Sequence, residues 1–397
     1  MRDLGASPAV AGARRVTIGI VAGEASGDAL AATLITALRA RLPHARFVGV
    51  AGPRMEAAGC EAWEPLETLS VRGLTEVLGR VPELVRLRRA LARRFVAARV
   101  DLFVGVDAPD FNLGLERKLK RRGVRTVHFV SPSVWAWRRE RIHTIGRSVH
   151  RLLALFPFEP PLYAPAGVPV TYVGHPLAAE AATAGSRRAM REQFKLPLAQ
   201  PVFALLPGSR RSEVEMHAEL VLETAASIHA LMPDARFLVP LATRPTRDLF
   251  EAALFRLKQE TLPLTLLYGH ARDALMAADV ALVASGTATL EAALARCPHA
   301  IFYRVKPLTE WYVRRKFLLP YVGLPNVLAG RFVVPEFLQD DATAVNLTQA
   351  AVNLFDDTLT RRRLEALFAG FAHELAVDTG TLAADALLAE LAQAHAA

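Results

Sequence analysis

Two strand–loop–helix junctions in the second half of this chain constrain its fold more than any other feature. The apolar run Val202–Leu206 is followed by Pro207-Gly-Ser-Arg-Arg-Ser-Glu213. The run Val280–Ala284 is followed by Ser285-Gly-Thr-Ala-Thr-Leu-Glu291. Each β run breaks at Gly and a small hydroxyl residue, and a helical pattern begins. Backbone N–H groups at such a helix start lack intrahelical partners and carry partial positive charge, so they form an anion site. Arg210 adds a planar fork matched to phosphate, and Glu291 stands within the first turns of its helix, where a carboxylate reaches a ribose diol. Two junctions of this kind in one domain predict a nucleotide diphosphate held at the carboxyl ends of parallel strands.

Strand and helix patterns alternate from end to end, with no internal repeat, which predicts an α/β protein with parallel sheets. First-half strands are expected at Val16–Ala22, Arg46–Val50, Asp101–Val106, Val124–Val130, Leu152–Phe156 and Val170–Val173. Helical patterns such as Asp28–Arg41 and Pro82–Ala98 lie between them. After a break at Gly174-His175-Pro176, a second series follows: Val202–Leu206, Ala235–Pro240, Leu264–Tyr268, Val280–Ala284 and His299–Tyr303. The reading is a loose tail over residues 1–15, a Rossmann-like domain over 16–175, a second over 176–342 facing it across a cleft, and helices over 343–397 closing across both.

The 397 residues suffice for two cores. No stretch of about 18 residues is both apolar and free of charge, so no spanning helix is expected, and the N-terminus lacks the apolar core of a secretory signal. Cys60 and Cys297 form no metal spacing, which points to a reducing, cytoplasmic setting. The net charge of +9 suits a polyanion, an anionic membrane or a phosphorylated substrate without choosing among them. Solvated Arg faces account for it equally well.

The first half carries three further loops. Gly23-Glu-Ala-Ser-Gly-Asp28 follows the first strand and is not GxGxxG. Acidic Glu24 and Asp28 suit a hydroxyl-bearing group better than phosphates, while Ser26 or Asp28 acting as an N-cap is the plainer account. Gly105-Val-Asp-Ala-Pro-Asp-Phe-Asn112 follows an apolar strand, and Asp107 is the first polar side chain at its end. A carboxylate there can take a proton from a substrate hydroxyl, and Asp110 or Asn112 can cap the next helix. Ser131-Pro-Ser-Val-Trp-Ala-Trp-Arg-Arg139 offers Trp135 and Trp137 to a sugar face or to the core. In the second half, Asn326 interrupts an apolar run and can bond a base or sugar or simply turn the chain. The His residues show no metal spacing, and no metal or cofactor is expected.

In order, the stretches VAGEASGD, FVGVAGPRM, GVDAPDFN, VSPSVWAWR, YVGHP, LLPGSRRSEVEM, VASGTATLEAAL, YRVKP and LPNVLAGR resemble the lipid-A-disaccharide synthase family over about residues 16 to 340. The resemblance implies a metal-independent inverting glycosyltransferase of the GT-B fold. It would join UDP-2,3-diacylglucosamine to 2,3-diacylglucosamine 1-phosphate, giving UDP and a β-1,6 disaccharide. Asp107 is the expected base, with Glu24 second, and Arg210 the group that stabilises the leaving diphosphate. The resemblance places Ser285, Gly286 and Thr287 at the phosphates, Glu291 at the ribose and Asn326 in the donor pocket. Ser26, Asp110, Asn112, Trp135, Ser209 and Glu213 complete the candidate substrate contacts.

The implied partners are a UDP-sugar, an acylated glucosamine phosphate and the inner-membrane surface, touched peripherally, with no nucleic acid; a homodimer stays open. Val71–Arg99 is the candidate membrane segment. Leu74, Val77, Leu78, Val81, Leu84 and Val85 make an apolar stripe flanked by Arg80, Arg86, Arg88, Arg89, Arg93 and Arg94, with Gly79 and Pro82 breaking the helix in two; a stripe that faces the core beneath solvated Arg side chains is the plainer account. Two other readings stay open: another GT-B enzyme, such as a UDP-sugar epimerase or the peptidoglycan transferase, and a non-catalytic basic protein binding membrane or nucleic acid.

Overall fold

A computed structural model describes residues 15–69, 74–182, 185–306, 310 and 317–396, with side chains of 74–80, 182, 395 and 396 left aside. The chain forms two compact units. One comprises residues up to Val134, Arg139–Gly174 and Asp378 onward; the other comprises Trp135–Arg138 and His175–Val377.

The first unit is built on seven parallel strands: β1 (Thr17–Ala22), β2 (Arg46–Ala51), β3 (Cys60–Pro65), β4 (Leu102–Val106), β5 (Arg125–Phe129), β6 (Arg151–Ala154) and β7 (Val170–Tyr172). Their order is β3-β2-β1-β4-β5-β6-β7. The second unit has six: β8 (Val202–Leu206), β9 (Arg236–Leu241), β10 (Leu264–Tyr268), β11 (Val280–Ala284), β12 (His299–Tyr303) and β13 (Glu336–Leu338), ordered β10-β9-β8-β11-β12-β13. Central strands such as β4, β8 and β11 are buried along their whole length. Parallel strands covered on both faces read as continuous apolar runs, which is why the sequence shows them clearly. The strands it does not show are β3 and β13. β3 is an edge strand carrying Glu61 and Glu64, and β13 has three half-buried residues.

Among the described residues, helices of eight residues or more are α1 (Ala25–Arg41), α2 (Leu74–Ala97), α3 (Pro109–Lys120), α4 (Arg141–Ser148), α5 (Arg211–Leu231), α6 (Arg244–Arg256), α7 (Thr287–Leu294), α8 (Ala344–Asp356), α9 (Thr358–Leu375) and α10 (Thr379–Ala396). α2 continues through Pro82, so the expected break there is corrected: the proline lies in the third turn of one helix. Leu91 and Phe95 of α2 are buried, and Leu84 and Leu87 pack against the same core. Of the expected membrane stripe, Leu84 therefore faces the core, Val85 is half-buried and Val81 is exposed, while the side chains of Leu74, Val77 and Leu78 lie outside the described residues. The C-terminal helices divide between the units. α8 packs on α5 and α9 on α7, whereas α10 packs on α1. Trp135–Arg138, read with the first half, groups with the second unit, where Trp137 forms an antiparallel bridge with Phe317.

Candidate active site

In each sheet the strand order reverses at one place. In the first unit this switch point lies between β1 and β4; in the second it lies between β8 and β11. Loops leaving the carboxyl ends of two such strands diverge and leave a crevice, which is where open α/β sheets bind ligands. Four of the loops singled out in the sequence are the loops after β1, β4, β8 and β11.

At the first switch point Ala22 pairs with Val106, so the loops that follow lie side by side. A Cβ on Gly23 would stand 2.4 Å from Ala108 Cβ. The glycine therefore lets the acidic loop close onto the loop carrying Asp107. Asp107 is half-buried and left-handed (φ 53°), as is Ala108 (φ 44°). Glu24 is exposed at the N-cap of α1 and makes no side-chain cap bond. Ser26 is exposed in the first turn of that helix.

Three neighbours have other work. Asp28 does not cap its own helix. It is 3% exposed and accepts from the backbone N–H groups of Gly52, Arg54 and Met55, each at 3.0 Å, so it caps the short helix Pro53–Ala57. Asn112, expected to touch substrate, is fully buried and donates to backbone carbonyls. Asp110 is exposed but pairs with Arg141, and its carbonyl accepts from Arg88 Nη2 at 2.8 Å.

At the second switch point the loop after β8 is clamped from behind. Glu213 Oε2 accepts from Ser209 N (2.9 Å) and Arg210 N (3.1 Å), and Glu213 Oε1 accepts from Tyr303 Oη at 3.2 Å. Burial and the adjacent Glu213 push the Tyr303 phenol up to about 12, so it remains a donor. Glu213 thus clamps the loop through both its oxygens. His217, one turn further, completes the clamp. Its Nδ1 meets Pro207 O at 2.8 Å and its Nε2 accepts from Arg304 N at 3.0 Å. Burial lowers its pKa, which keeps the ring neutral and able to serve both partners. Sequence reasoning missed this residue, although its four-residue spacing from Glu213 on one helix face was a usable sign. Arg210 itself projects outward with 71% of its side chain exposed, and Ser209 is exposed beside it.

Among the described residues, the loop after β11 has no comparable clamp. Gly286 caps α7 with no side-chain cap bond (φ 149°), and Gly286 and Thr287 are exposed. Thr289 Oγ1 donates to Gly286 O at 2.8 Å and shapes the turn from within. The first amides of α7 therefore keep the anion-binding character expected of them. Ser285 is half-buried beside them. Glu291, four residues after Thr287 and so on the same face, is half-buried; burial, then the charge of Glu180, pushes its carboxyl up.

Asn326 is corrected too. It is fully buried; Nδ2 donates to Val334 O (3.0 Å) and Glu336 Oε1 (2.8 Å), and Oδ1 accepts from Val333 N (2.7 Å) and Val334 N (3.0 Å). All its bonding capacity serves the turn into β13, and none is left for a ligand. Trp135 is half-buried; the adjoining Trp137 lies under the Arg138 guanidinium, 4.4 Å from the ring centroid. No group of three or more metal-ligating side chains occurs among the described residues.

A family model described as lipid-A-disaccharide synthetase matches residues 18–377. The lipid-A-disaccharide synthase of Chromobacterium violaceum is 54% identical over 95% of this chain and 98% of its own length. That of Klebsiella pneumoniae is 47% identical over 96% and 99%. The chain belongs to the lipid-A-disaccharide synthase family. It is a glycosyltransferase, and members of this family take a UDP-sugar donor and a glycolipid acceptor. Among solved structures, a putative UDP-N-acetylglucosamine 2-epimerase from Listeria monocytogenes aligns with TM-score 0.63 at 12% identity over 94% of this chain and 95% of that one. MurG of Acinetobacter baumannii aligns with TM-score 0.54 at 16% identity over 93% and 97%. Those likenesses show the GT-B fold, two parallel-sheet α/β units with a helical C-terminus. They do not carry the epimerase or peptidoglycan activities across, and family membership sets aside the non-catalytic reading.

Proposed function

We propose that this chain makes the β-1,6 lipid A disaccharide from UDP-2,3-diacylglucosamine and 2,3-diacylglucosamine 1-phosphate by a single inverting displacement. The observation that carries this reading is the division of chemistry between the two switch points. The first presents carboxylates, Asp107 and Glu24; the second presents an exposed guanidinium and open helix amides. Asp107 takes the proton of the acceptor 6-hydroxyl as its oxygen bonds to C1 of the donor sugar. The C1–O bond to UDP breaks, and its electron pair passes to the β-phosphate oxygen. Arg210 and the amides of Gly286 and Thr287 stabilise that charge, and Glu291 binds the ribose. The test is UDP release from the two acylated sugars. Asp107→Asn keeps shape without basicity, so turnover falls by roughly 10²–10⁴ while UDP affinity stays near normal. Near-parental turnover transfers the role to Glu24, and an α-linked product overturns inversion.

The chain acts peripherally at the cytoplasmic face of the inner membrane, because both proposed substrates carry acyl chains. No helix among the described residues is long and apolar enough to cross a membrane. Support comes from a hollow of about 1000 Å³ beside α2 and α3, lined by Arg86, Arg89, Arg93, Lys118, Arg121 and Arg122 with Glu83. Arg88 and Arg94, counted with the basic flank in the sequence, instead lie over the Phe111 and Trp63 rings. Each exposed cation near an anionic surface contributes about 1 kcal/mol, weakening with salt. Sedimentation with anionic liposomes should show salt-sensitive binding that Arg86→Ser, Arg89→Ser and Arg93→Ser together abolish. Binding that survives the triple change removes this face as the contact.

A further inference from the structure

A buried polar cluster lies directly behind Asp107 and has no part in the reaction as written above. α3 carries Asn112 and Glu116 four residues apart, and both are fully buried. Asn112 Nδ2 reaches Val21 O at 3.2 Å, Val106 O at 3.3 Å and, closest, Asp107 O at 2.8 Å. From the other side, Asp107 N donates to Phe129 O at 2.8 Å. The Asp107 residue is thus gripped at both its backbone groups. A grip is needed, because two successive left-handed residues without glycine are disfavoured and persist only where their surroundings over-determine them.

Behind Asn112, Glu116 Oε1 meets His128 Nδ1 at 2.7 Å, with both side chains 0% exposed. His128 is the register partner of Gly105 on the neighbouring strand. A Cβ on Gly105 would fall 2.2 Å from Glu116 Oε1 and 2.8 Å from Asn112 Cβ, so the glycine is what lets α3 seat against β4. Burial pushes the Glu116 carboxyl up against the opposing pull of His128. Asn112 Oδ1, Glu116 Oε2 and His128 Nε2 find no partner among the described residues. A partly satisfied buried network is less stable than a well-packed apolar one. Proteins break such a local rule chiefly at functional sites.

We propose that Asn112, Glu116 and His128 are positioning residues that lock the left-handed Asp107–Ala108 turn and so aim the Asp107 carboxylate at the acceptor hydroxyl. This rests on the reading of Asp107 as the base. Loss of aim lowers the chemical step without touching donor binding. Asn112→Asp keeps the shape but removes the amide donor, and Glu116→Leu removes the support behind it. Each should lower kcat by about 10- to 100-fold with the donor KM within about twofold. Glu116→Gln retains a hydrogen bond to His128 and should stay within about threefold of the parent kcat. A general structural fault would instead move kcat, KM and melting temperature together, and that result overturns the proposal. So does an Asn112→Asp enzyme within about twofold of parental kcat, or a folded Glu116→Gln enzyme as slow as Glu116→Leu. Should the leucine variant not fold, Asn112→Ser and Glu116→Gln carry the same comparison. Asp107→Asn is assayed alongside. If it retains turnover, the base assignment fails; if it is inactive while the Asn112 variants are not, only the positioning role fails.

Discussion

At the scale of single residues, the division is between side chains that face outward at a switch point and side chains whose bonding is complete inside the chain. Arg210 belongs to the first kind, with only a long 3.4 Å contact from Nη1 to Glu213. Arg210→Ala should weaken UDP binding by about 1.5–3 kcal/mol, the worth of a charge-assisted bond. Calorimetry decides the matter, and unchanged affinity would remove Arg210 from the diphosphate site. Asn326 belongs to the second kind. Asn326→Leu leaves buried backbone and carboxylate groups without partners, so we expect a loss of roughly 3 kcal/mol in urea unfolding with UDP affinity little altered. A variant with parental stability and weakened UDP binding would return Asn326 to the donor pocket.

At the scale of elements, periodicity locates a stripe but not what covers it. The apolar spacing along α2 is real, yet from Leu84 to Phe95 its partners are Trp63, Phe103 and Phe111 of its own unit. Burial inside an element also creates pH dependence. His299 of β12 is 0% exposed, stacked on Phe368 of α9 (5.5 Å between centroids), with Nδ1 2.8 Å from Cys297 O. Burial lowers its pKa from 6.5 to about 4. Between those values the unfolded chain binds a proton that the folded chain refuses. The contribution is therefore complete above about pH 6.5 and is lost as pH falls toward 4, a change of roughly 3 kcal/mol. His299→Phe should remove up to one proton from the slope of stability against pH in that window. Denaturant midpoints at about pH 4.5 and about pH 7 measure it, and an unaltered slope would show that His299 does not titrate this way.

At the scale of the whole molecule, the first and last of the described helices lie in one unit. α10 lies against α1, and its Glu390, 2% exposed, receives both Arg125 of β5 and Arg151 Nε of β6, the latter at 2.9 Å. Removing the acceptor takes the shared carboxylate from two guanidiniums that are each 22% exposed, leaving Arg125 with Gln393 and Arg151 with Thr171. Glu390→Leu should destabilise the first unit by about 3 kcal/mol, with Glu390→Gln milder. Thermal unfolding followed by proteolysis of the first unit tests this, and a loss below about 1 kcal/mol would make the bridge incidental.

What the sequence alone determined is what local physics dictates. Continuous apolar runs mark strands covered on both faces, Gly and hydroxyl breaks mark their ends, and the order of loops marks the family. The positions of Glu24, Asp107, Arg210 and the Ser285–Thr287 turn just past the ends of buried strands were legible for that reason. Only the tertiary structure decided which loops share a switch point, because strand order follows from pairing between residues as distant as Ala22 and Val106. It also decided the fate of Asn112, Glu213 and Asn326. Each is a polar residue in a promising loop that is drawn into bonds within the fold, Asn112 donating to Asp107 O, Glu213 accepting from Tyr303 and Asn326 donating to Glu336. Whether a carboxamide or carboxylate is free for a ligand depends on which groups the fold brings within about 3 Å of it, and sequence spacing does not contain that distance.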